Sequence, residues 1–225
     1  MKTLFLILAL VFLAAPAPAQ APDKSHNDGY VDPDLDLDRM IARLENESRE
    51  IFVLREEIVA AAGVQPGDVV ADVGAGTGAF LEPLVAAVGV TGHVVAVEIS
   101  IRFVERLRQV ADEAGYDNVT AVFSSYTSAT LPPASVDRII SIDTYHHFDD
   151  YASMLASMLD ALRPGGEMTV VDYDRREDSR DWIKGHVRAS KETFRREIEE
   201  AGFEFVEEVT IEGMEENFLV RFRKP

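Results

Sequence analysis

The sequence predicts an α/β protein built on a doubly wound, mostly parallel sheet of seven strands. Three observations carry this. Short apolar runs of strand type alternate with amphipathic stretches of about ten to fifteen residues, the order that produces βαβ units. A glycine-rich turn, Gly74-Ala75-Gly76-Thr77-Gly78, sits where the first strand passes into a helix. The last two strand-like runs have no helix between them, so one of them is expected to run antiparallel.

The elements follow in order. Apolar residues at Leu37, Met40, Ile41, Leu44, Ile51, Leu54 and Ile58 form a helical stripe. Asp34 or Asp36 can cap its start and Gly63 can close its end. The turn at residues 65–68 leads into a buried-type strand over residues 69–73, and a helix follows to about Val88. A second strand covers residues 93–97. Ser100 caps a helix with Ile101, Val104, Leu107 and Ala111 on one face, ended by Gly115. Strands are expected at 119–123 and 136–142, then a helix over 151–162 stopped by Arg163-Pro164-Gly165-Gly166. A fifth strand starts at Met168. A helix over 190–201 carries Phe194, Ile198 and Ala201 on one face, and the final strands lie near 205–211 and 217–222.

At 225 residues the chain fits a single domain, with no internal repeat. Hydrophobic residues at 47% and charged residues at 28% exclude a fully disordered chain. The absence of cysteine excludes disulfides, thiolate metal sites and thiol nucleophiles. A net charge of −18 repels phosphate backbones and anionic lipid head groups, so no nucleic-acid partner is expected.

The N-terminus reads as a targeting segment. Lys2 is followed by an unbroken apolar run over residues 4–15, then Pro16 and the small-x-small site Ala17-Pro18-Ala19. That is the three-part pattern of a secretory signal peptide over residues 1–19, and the run is too short for a membrane span. The expectation is cleavage after Ala19, export to the periplasm or beyond, and no stable membrane insertion afterwards. Residues 20–36 carry Asp23, Asp28, Asp32, Asp34 and Asp36 and are expected to form a solvated, poorly ordered leader. The domain proper then covers 37–225.

The glycine turn carries the first chemistry. Gly74 permits a tight turn, Gly76 lets the backbone approach a ligand, and the following helix offers free N–H groups. Glu98 ends the second strand, where a carboxylate can accept both hydroxyls of a ribose. Gly74, Gly76 and Ala79 also satisfy the looser dinucleotide pattern G-x-G-x-x-A. The turn alone therefore indicates a nucleoside-containing cofactor without choosing which.

Asp72, two residues before the first glycine, makes the segment D-x-G-x-G-x-G. This resembles motif I of the class I S-adenosylmethionine-dependent methyltransferases. Val95-Ala96-Val97-Glu98, Leu131-Pro132, Ser135-Val136-Asp137 and Leu162-Arg163-Pro164-Gly165-Gly166 resemble the later motifs of that family. The nearest likeness is to small-molecule enzymes of the quinone-methylating type. The resemblance implies a Rossmann-like seven-stranded sheet with the last strand inserted antiparallel, S-adenosyl-L-methionine as cofactor, and a small-molecule methyl acceptor. It implies that Asp72, Gly74, Ala75, Gly76 and Gly78 hold the methionine part, Glu98 the ribose, Ile99 the adenine face, and Asp143 the methionine amino group. The chain departs from the family at residues 124–128, which lack the acid that binds the adenine amine, and Thr127 is the substitute considered.

Methyl transfer to a hydroxyl, phenol or amine needs positioning and, for a protic acceptor, a base. The dense cluster Asp143-Thr144-Tyr145-His146-His147-Phe148 lies just past the fourth strand. One reading makes His146 or His147 the base, with Tyr145 lining the pocket and transfer rising with pH through roughly 6 to 7. The plainer reading makes one histidine a cap for the helix beginning near Asp150. Asp143, Asp172 and Asp174 are also near, but their spacing matches no metal signature, so no metal is expected. A second patch, Trp182 to Arg188 with Lys184 and His186, either closes over a substrate or packs at the sheet edge. Two other function classes stay open: an NAD-dependent oxidoreductase and an exported cofactor-binding protein without turnover.

Overall fold

The computed structural model describes residues 25–225. The expected signal peptide and the first residues of the leader lie outside the described residues. Seven strands form one sheet in the order β3-β2-β1-β4-β5-β7-β6. They are β1 (Val69–Val73), β2 (His93–Glu98), β3 (Val119–Phe123), β4 (Val136–Ile142), β5 (Leu162–Tyr173), β6 (Glu204–Val209) and β7 (Asn217–Arg223). The first five pair in parallel, and β7 inserts antiparallel between β5 and β6. This is the expected sheet. Strand order reverses between β1 and β4, and the crevice at such a switch point is where open α/β sheets hold ligands.

Period-two alternation divides the core between the two faces of the sheet. Ala71 and Val73 of β1, Ile139 of β4 and Val170 of β5 pack with Met154, Leu155, Met158, Phe194 and Ile198. Those side chains come from α6 (Tyr151–Ala161) and α8 (Lys191–Glu200). On the other face Val70, Ile140 and Val171 pack with Ile58, Leu81, Leu84 and Leu107. These come from α3 (Arg55–Ala61), α4 (Leu81–Val88) and α5 (Ile101–Ala114). Burial on both faces is why the central strands read as continuous apolar runs.

The expected caps hold in part. Asp36 accepts a hydrogen bond from the Arg39 N–H at the start of α1 (Leu37–Leu44). Gly115 ends α5 at φ 69°, a left-handed position suited to glycine. The turn after α6 differs from expectation, because β5 already begins at Leu162. Val136 pairs with Leu162 and Arg138 with Glu167, so Pro164, Gly165 and Gly166 bulge out of the ladder.

The single helical stripe from Leu37 to Gly63 is corrected. It is three helices, α1, α2 (Glu50–Val53) and α3. Asn46 Oδ1 accepts the Ser48 N–H at 2.8 Å, a local bond that competes with the helix. Glu50 then accepts the N–H groups of Glu215, Glu216 and Asn217 at 2.8, 2.9 and 2.5 Å, which ties α2 to the start of β7. The seven-residue step from Leu44 to Ile51 preserves the apolar period across the break, so periodicity alone could not show it.

The described part of the acidic leader also differs from expectation. Ser25 and His26 both bond Asp149, and the Asn27 amide donates to the His147 carbonyl at 2.9 Å. Tyr30 packs edge-on against His147 at 5.3 Å between ring centroids. This segment is held over the sheet's carboxyl ends by side chains whose partners lie more than a hundred residues away. The patch after β5 is likewise ordered: α7 (Asp181–His186) precedes α8. Among the described residues no helix is long and apolar enough to cross a membrane.

Candidate functional site

Two cavities open at the carboxyl ends of the parallel strands. The first runs past the glycine turn and the ends of β1, β2 and β4, with about 1060 Å³ of empty volume including its mouth. The turn is shaped by close contact. Gly74 has φ 88°, and a Cβ there would lie 2.2 Å from the Thr144 side chain, so only glycine fits. Thr144 Oγ1 donates to the Gly74 carbonyl at 3.3 Å, joining the β1 turn to the β4 turn across the switch point.

Glu98 organises the turn from β2. One carboxylate oxygen accepts the Gly76 N–H at 2.8 Å, and the other accepts those of Ile99 and Ser100 at 2.8 and 2.9 Å. Burial raises its pKa, against the pull of these three bonds. Three donors leave about one of a carboxylate's four lone-pair positions for a ligand. Asp72 is 2% exposed and forms no ion pair among the described residues. Burial, reinforced by the Glu98 charge, raises its pKa to about 7.

Asp143 sits at φ 48°, a left-handed conformation that short acids tolerate. Its carboxylate is already engaged, by Arg49 at 2.6 Å and by the Asn217 amide. Burial still raises it to about 6, opposed by Arg49 and reinforced by Asp172. The sequence reading missed Arg49 and Asn217. Arg49 enters the cavity only because the helix breaks just before it, and Asn217 only because β7 inserts beside β5.

Asp72, Gly74, Ala75, Gly76, Glu98, Ile99 and Asp143 all line this cavity. Gly78 and Thr127 do not. A Cβ on Gly78 would meet Leu107 and Leu81 at 3.2 Å, so this glycine lets the turn pack closely against α5 and α4. Thr127 is exposed, and Ser124, Ser125 and Tyr126 line the wall in its place. Phe80 and Phe103, which sequence patterning does not single out, add an apolar side.

The second cavity lies beyond the Asp143 turn, with about 940 Å³ of empty volume. Tyr30, Leu44, Arg49, Asp143 and His147 line both cavities, so the two share a wall. His146, Tyr173, Trp182 and His186 belong to the second. Trp182 stacks edge-on upon Tyr173 at 4.8 Å and remains 42% exposed. It therefore faces the cavity, and the reading in which it only packs on the sheet edge is set aside.

The Tyr145–His147 segment is a 3₁₀ turn that sorts its three side chains apart. Tyr145 points into the core. Its hydroxyl donates to Glu197 at 3.1 Å and its ring packs on Phe194 at 4.9 Å, so it lines neither cavity and its expected pocket role is corrected. His146 is fully buried, with Nδ1 2.7 Å from Asp172 Oδ1 and its backbone N–H 3.0 Å from Oδ2. Burial lowers its pKa, but the Asp172 charge and hydrogen bond outweigh that, and the net shift is upward. His147 goes the other way, to about 2, through burial and the neighbouring His146, His186 and His26. Burial, with His146, His26 and Arg43 nearby, takes His186 to about 4. Neither His146 nor His147 caps the next helix. Asp150 does so, its carboxylate accepting the Ser153 N–H at 3.0 Å.

This geometry fits a nucleoside cofactor carrying a cation. A Cβ on Gly76 would meet only the Gly74 carbonyl, at 3.9 Å, so the turn has room there; Glu98 presents an acid beside it, and Asp72 is a buried carboxylate without a cationic partner among the described residues. Known proteins agree with the assignment. A methyltransferase-domain family model matches residues 70–166, the stretch from β1 to the bulge in β5. An uncharacterized methyltransferase of Geobacillus sp. (strain WCH70) is 28% identical over 166 residues, covering 73% of this chain and 68% of that one. A phosphoethanolamine N-methyltransferase of Triticum aestivum is 30% identical over 174 residues, covering 73% of this chain and 33% of the relative. A demethylmenaquinone methyltransferase of Listeria welshimeri is 27% identical over 118 residues, and this chain spans 50% of its length. The crystal structure of a SAM-dependent methyltransferase from Aquifex aeolicus superposes with a TM-score of 0.74 at 23% identity, covering 84% of this chain and 99% of that one. With its motifs, sheet order and glycine turn in agreement, residues 70–166 match a methyltransferase domain and the fold is that of an S-adenosylmethionine-dependent methyltransferase, which implies S-adenosyl-L-methionine as the cofactor.

Proposed function

We propose that the chain transfers a methyl group to a small, protic acceptor held in the second cavity. The observation that carries this is the shared wall: Asp143, Arg49 and His147 separate a cofactor-type cleft from a second, aromatic- and histidine-lined chamber. S-Adenosylmethionine supplies an electrophilic methyl group on a sulfonium with a neutral leaving group. In this reading Glu98 takes the ribose hydroxyls, Ile99 and Phe103 flank the base, and the glycine turn takes the amino-acid end. Because Asp143 is paired with Arg49, Asp72 is the acid left to receive the cofactor's positive charge. Tyr30 and His147 close the wall between the cavities and limit water there. His146 turns Nδ1 to Asp172, which leaves Nε2 as the lone pair that receives the acceptor's proton.

The test has two stages. Native mass spectrometry of the purified chain should show co-purifying cofactor or saturable binding of added S-adenosylmethionine. Isotope-labelled methyl should then appear on members of a panel of phenols, hydroxy acids and amines. Binding of a nicotinamide dinucleotide in preference to S-adenosylmethionine would remove this reading, and cofactor binding without any methylated product would favour the binding-protein alternative.

The proposal includes export, supported by the sequence pattern of residues 1–19. The mature chain would begin at Gln20 outside the cytoplasm. N-terminal sequencing of protein from its native compartment tests this, and an intact residue 1–19 segment would overturn it.

A further inference from the structure

His146, His147 and His186 form a triangle at the boundary of the two cavities, with ring centroids 4.2, 4.9 and 5.1 Å apart. One nitrogen from each ring lies within 4.8 Å of the other two. His146 uses Nδ1 on Asp172, and its Nε2 is buried without a hydrogen-bond partner among the described residues. His147 Nδ1 is also buried without a partner among them. Buried polar atoms are ordinarily satisfied, so two orphaned imidazole nitrogens at one place call for an occupant. His186 comes from α7, the helix after β5, and is the least buried of the three.

We propose that these three imidazoles are a binding site for one divalent transition-metal ion of the zinc class. Three further features point the same way. A carboxylate behind the far nitrogen of a ligating histidine is the usual support of such sites, and Asp172 holds His146 in that manner. Neutral imidazoles suit zinc, copper, iron and nickel rather than magnesium or calcium. Three protein ligands beside an open chamber match sites that keep one position free, and the second cavity supplies that chamber. Nitrogens bound to one zinc at about 2.0–2.1 Å must lie closer together than 4.8 Å, and His186 is the ring with room to move inward. The consequence for catalysis rests on the proposed acceptor cavity. A metal-bound Nε2 takes up no proton, so in the loaded protein His146 is a ligand. An acceptor hydroxyl at the open position would then lose its proton more readily.

The site is tested on the untagged chain after dialysis against a chelator. Calorimetric titration with zinc, and with cobalt(II) followed by its visible absorption, should show one equivalent bound with micromolar or tighter affinity. His186→Ala should weaken that binding at least about tenfold, with S-adenosylmethionine affinity and circular dichroism unchanged. Asp172→Asn should weaken it roughly 10–100-fold, the range for loss of such a support. His26→Ala removes a neighbouring imidazole outside the triangle and should leave it unchanged. Absence of saturable binding, or binding that His186→Ala does not alter, overturns the proposal. Neither readout requires turnover, so failure of the metal site is distinguishable from failure of the methyl-transfer reading.

Discussion

His146 Nδ1 lies 2.7 Å from the carboxylate of Asp172, and both side chains are buried. Asp172 also accepts the backbone N–H groups of His146 and Tyr173, so its orientation is held from three directions. The pair fixes the tautomer of His146 and aims Nε2 away from Asp172. Sequence spacing puts the histidine just past β4, but only the pairing of β4 with β5 brings Asp172 beneath it.

A first prediction concerns the proton step in metal-free protein. A base must be neutral, and Asp172 raises the His146 pKa above its ordinary value of 6.5. Transfer to a hydroxyl acceptor should therefore rise with pH above about 6.5 rather than through roughly 6 to 7. His146→Ala should lower turnover about a hundredfold or more and abolish the rise. His147→Ala should keep it, because a group titrating at about 2 is already neutral. A pH–rate profile of the two variants decides; an unchanged profile in His146→Ala places the base elsewhere.

A second prediction concerns acid stability. The folded pKa of His147 is lowered to about 2, below the unfolded value near 6.5. Its contribution is thus fully present above pH 6.5 and is lost as pH falls toward 2. His186, lowered to about 4, adds to the loss between 6.5 and 4. For His147 the loss between pH 6.5 and 5 is on the order of 2 kcal/mol. Thermal melts should show His147→Leu losing less stability than the parent across that interval. Parallel curves for the two proteins would exclude His147 as the source.

The third prediction concerns Asp72, raised to about 7 by burial and by Glu98. A cationic ligand binds the ionised form, so S-adenosylmethionine affinity should rise with pH up to about 7 and binding should release protons below it. Calorimetry in buffers of different ionisation enthalpy measures that release. Asp72→Asn should flatten the dependence and weaken binding. It should also raise stability above pH 7, since this carboxyl opposes folding progressively from pH 3.8 to 7. A pH-independent affinity in the parent chain would show that Asp72 does not face the cofactor's charge.

A fourth prediction revises what the sequence suggests for Glu98. Loss of a ribose-binding carboxylate alone should weaken cofactor binding about tenfold or more and leave the fold intact. The structure adds that Glu98→Ala strips three backbone N–H groups of their acceptor. The variant should therefore also lose roughly 1–3 kcal/mol of stability. Glu98→Gln has one acceptor oxygen instead of two and should fall between. Calorimetry and melting curves together test this, and full affinity in Glu98→Ala would move the ribose site elsewhere.

Local patterning made most of the sheet legible. Residues 69–73, 119–123 and 136–142 are apolar runs bounded by turns, and they are strands at those positions. Gly74 and Gly76 were legible as turn glycines, and they line the cavity, because a βα turn needs their backbone freedom whatever surrounds it. Gly78 and Thr127 were not separable by the same means, since a motif position does not say which way a side chain or an absent Cβ faces. Likewise Tyr145, His146 and His147 are adjacent in sequence, and only the 3₁₀ turn sends one to the core and two to the cavities.

The alternation of strands and helices, the glycine turn after β1 and the acids at the ends of β1 and β2 are written in local sequence. These depend on side-chain period, turn chemistry and the spacing of near neighbours along the chain. The tertiary structure alone decided which distant groups share a site. Arg49 reaches Asp143 through the break between α1 and α2, Asp172 reaches His146 through the β4–β5 pairing, and His186 reaches both histidines through α7. The physical reason is range. Propensity and periodicity act over a few residues, whereas burial, ion pairing and the orphaned imidazole nitrogens arise from packing between segments that the chain separates by many tens of residues.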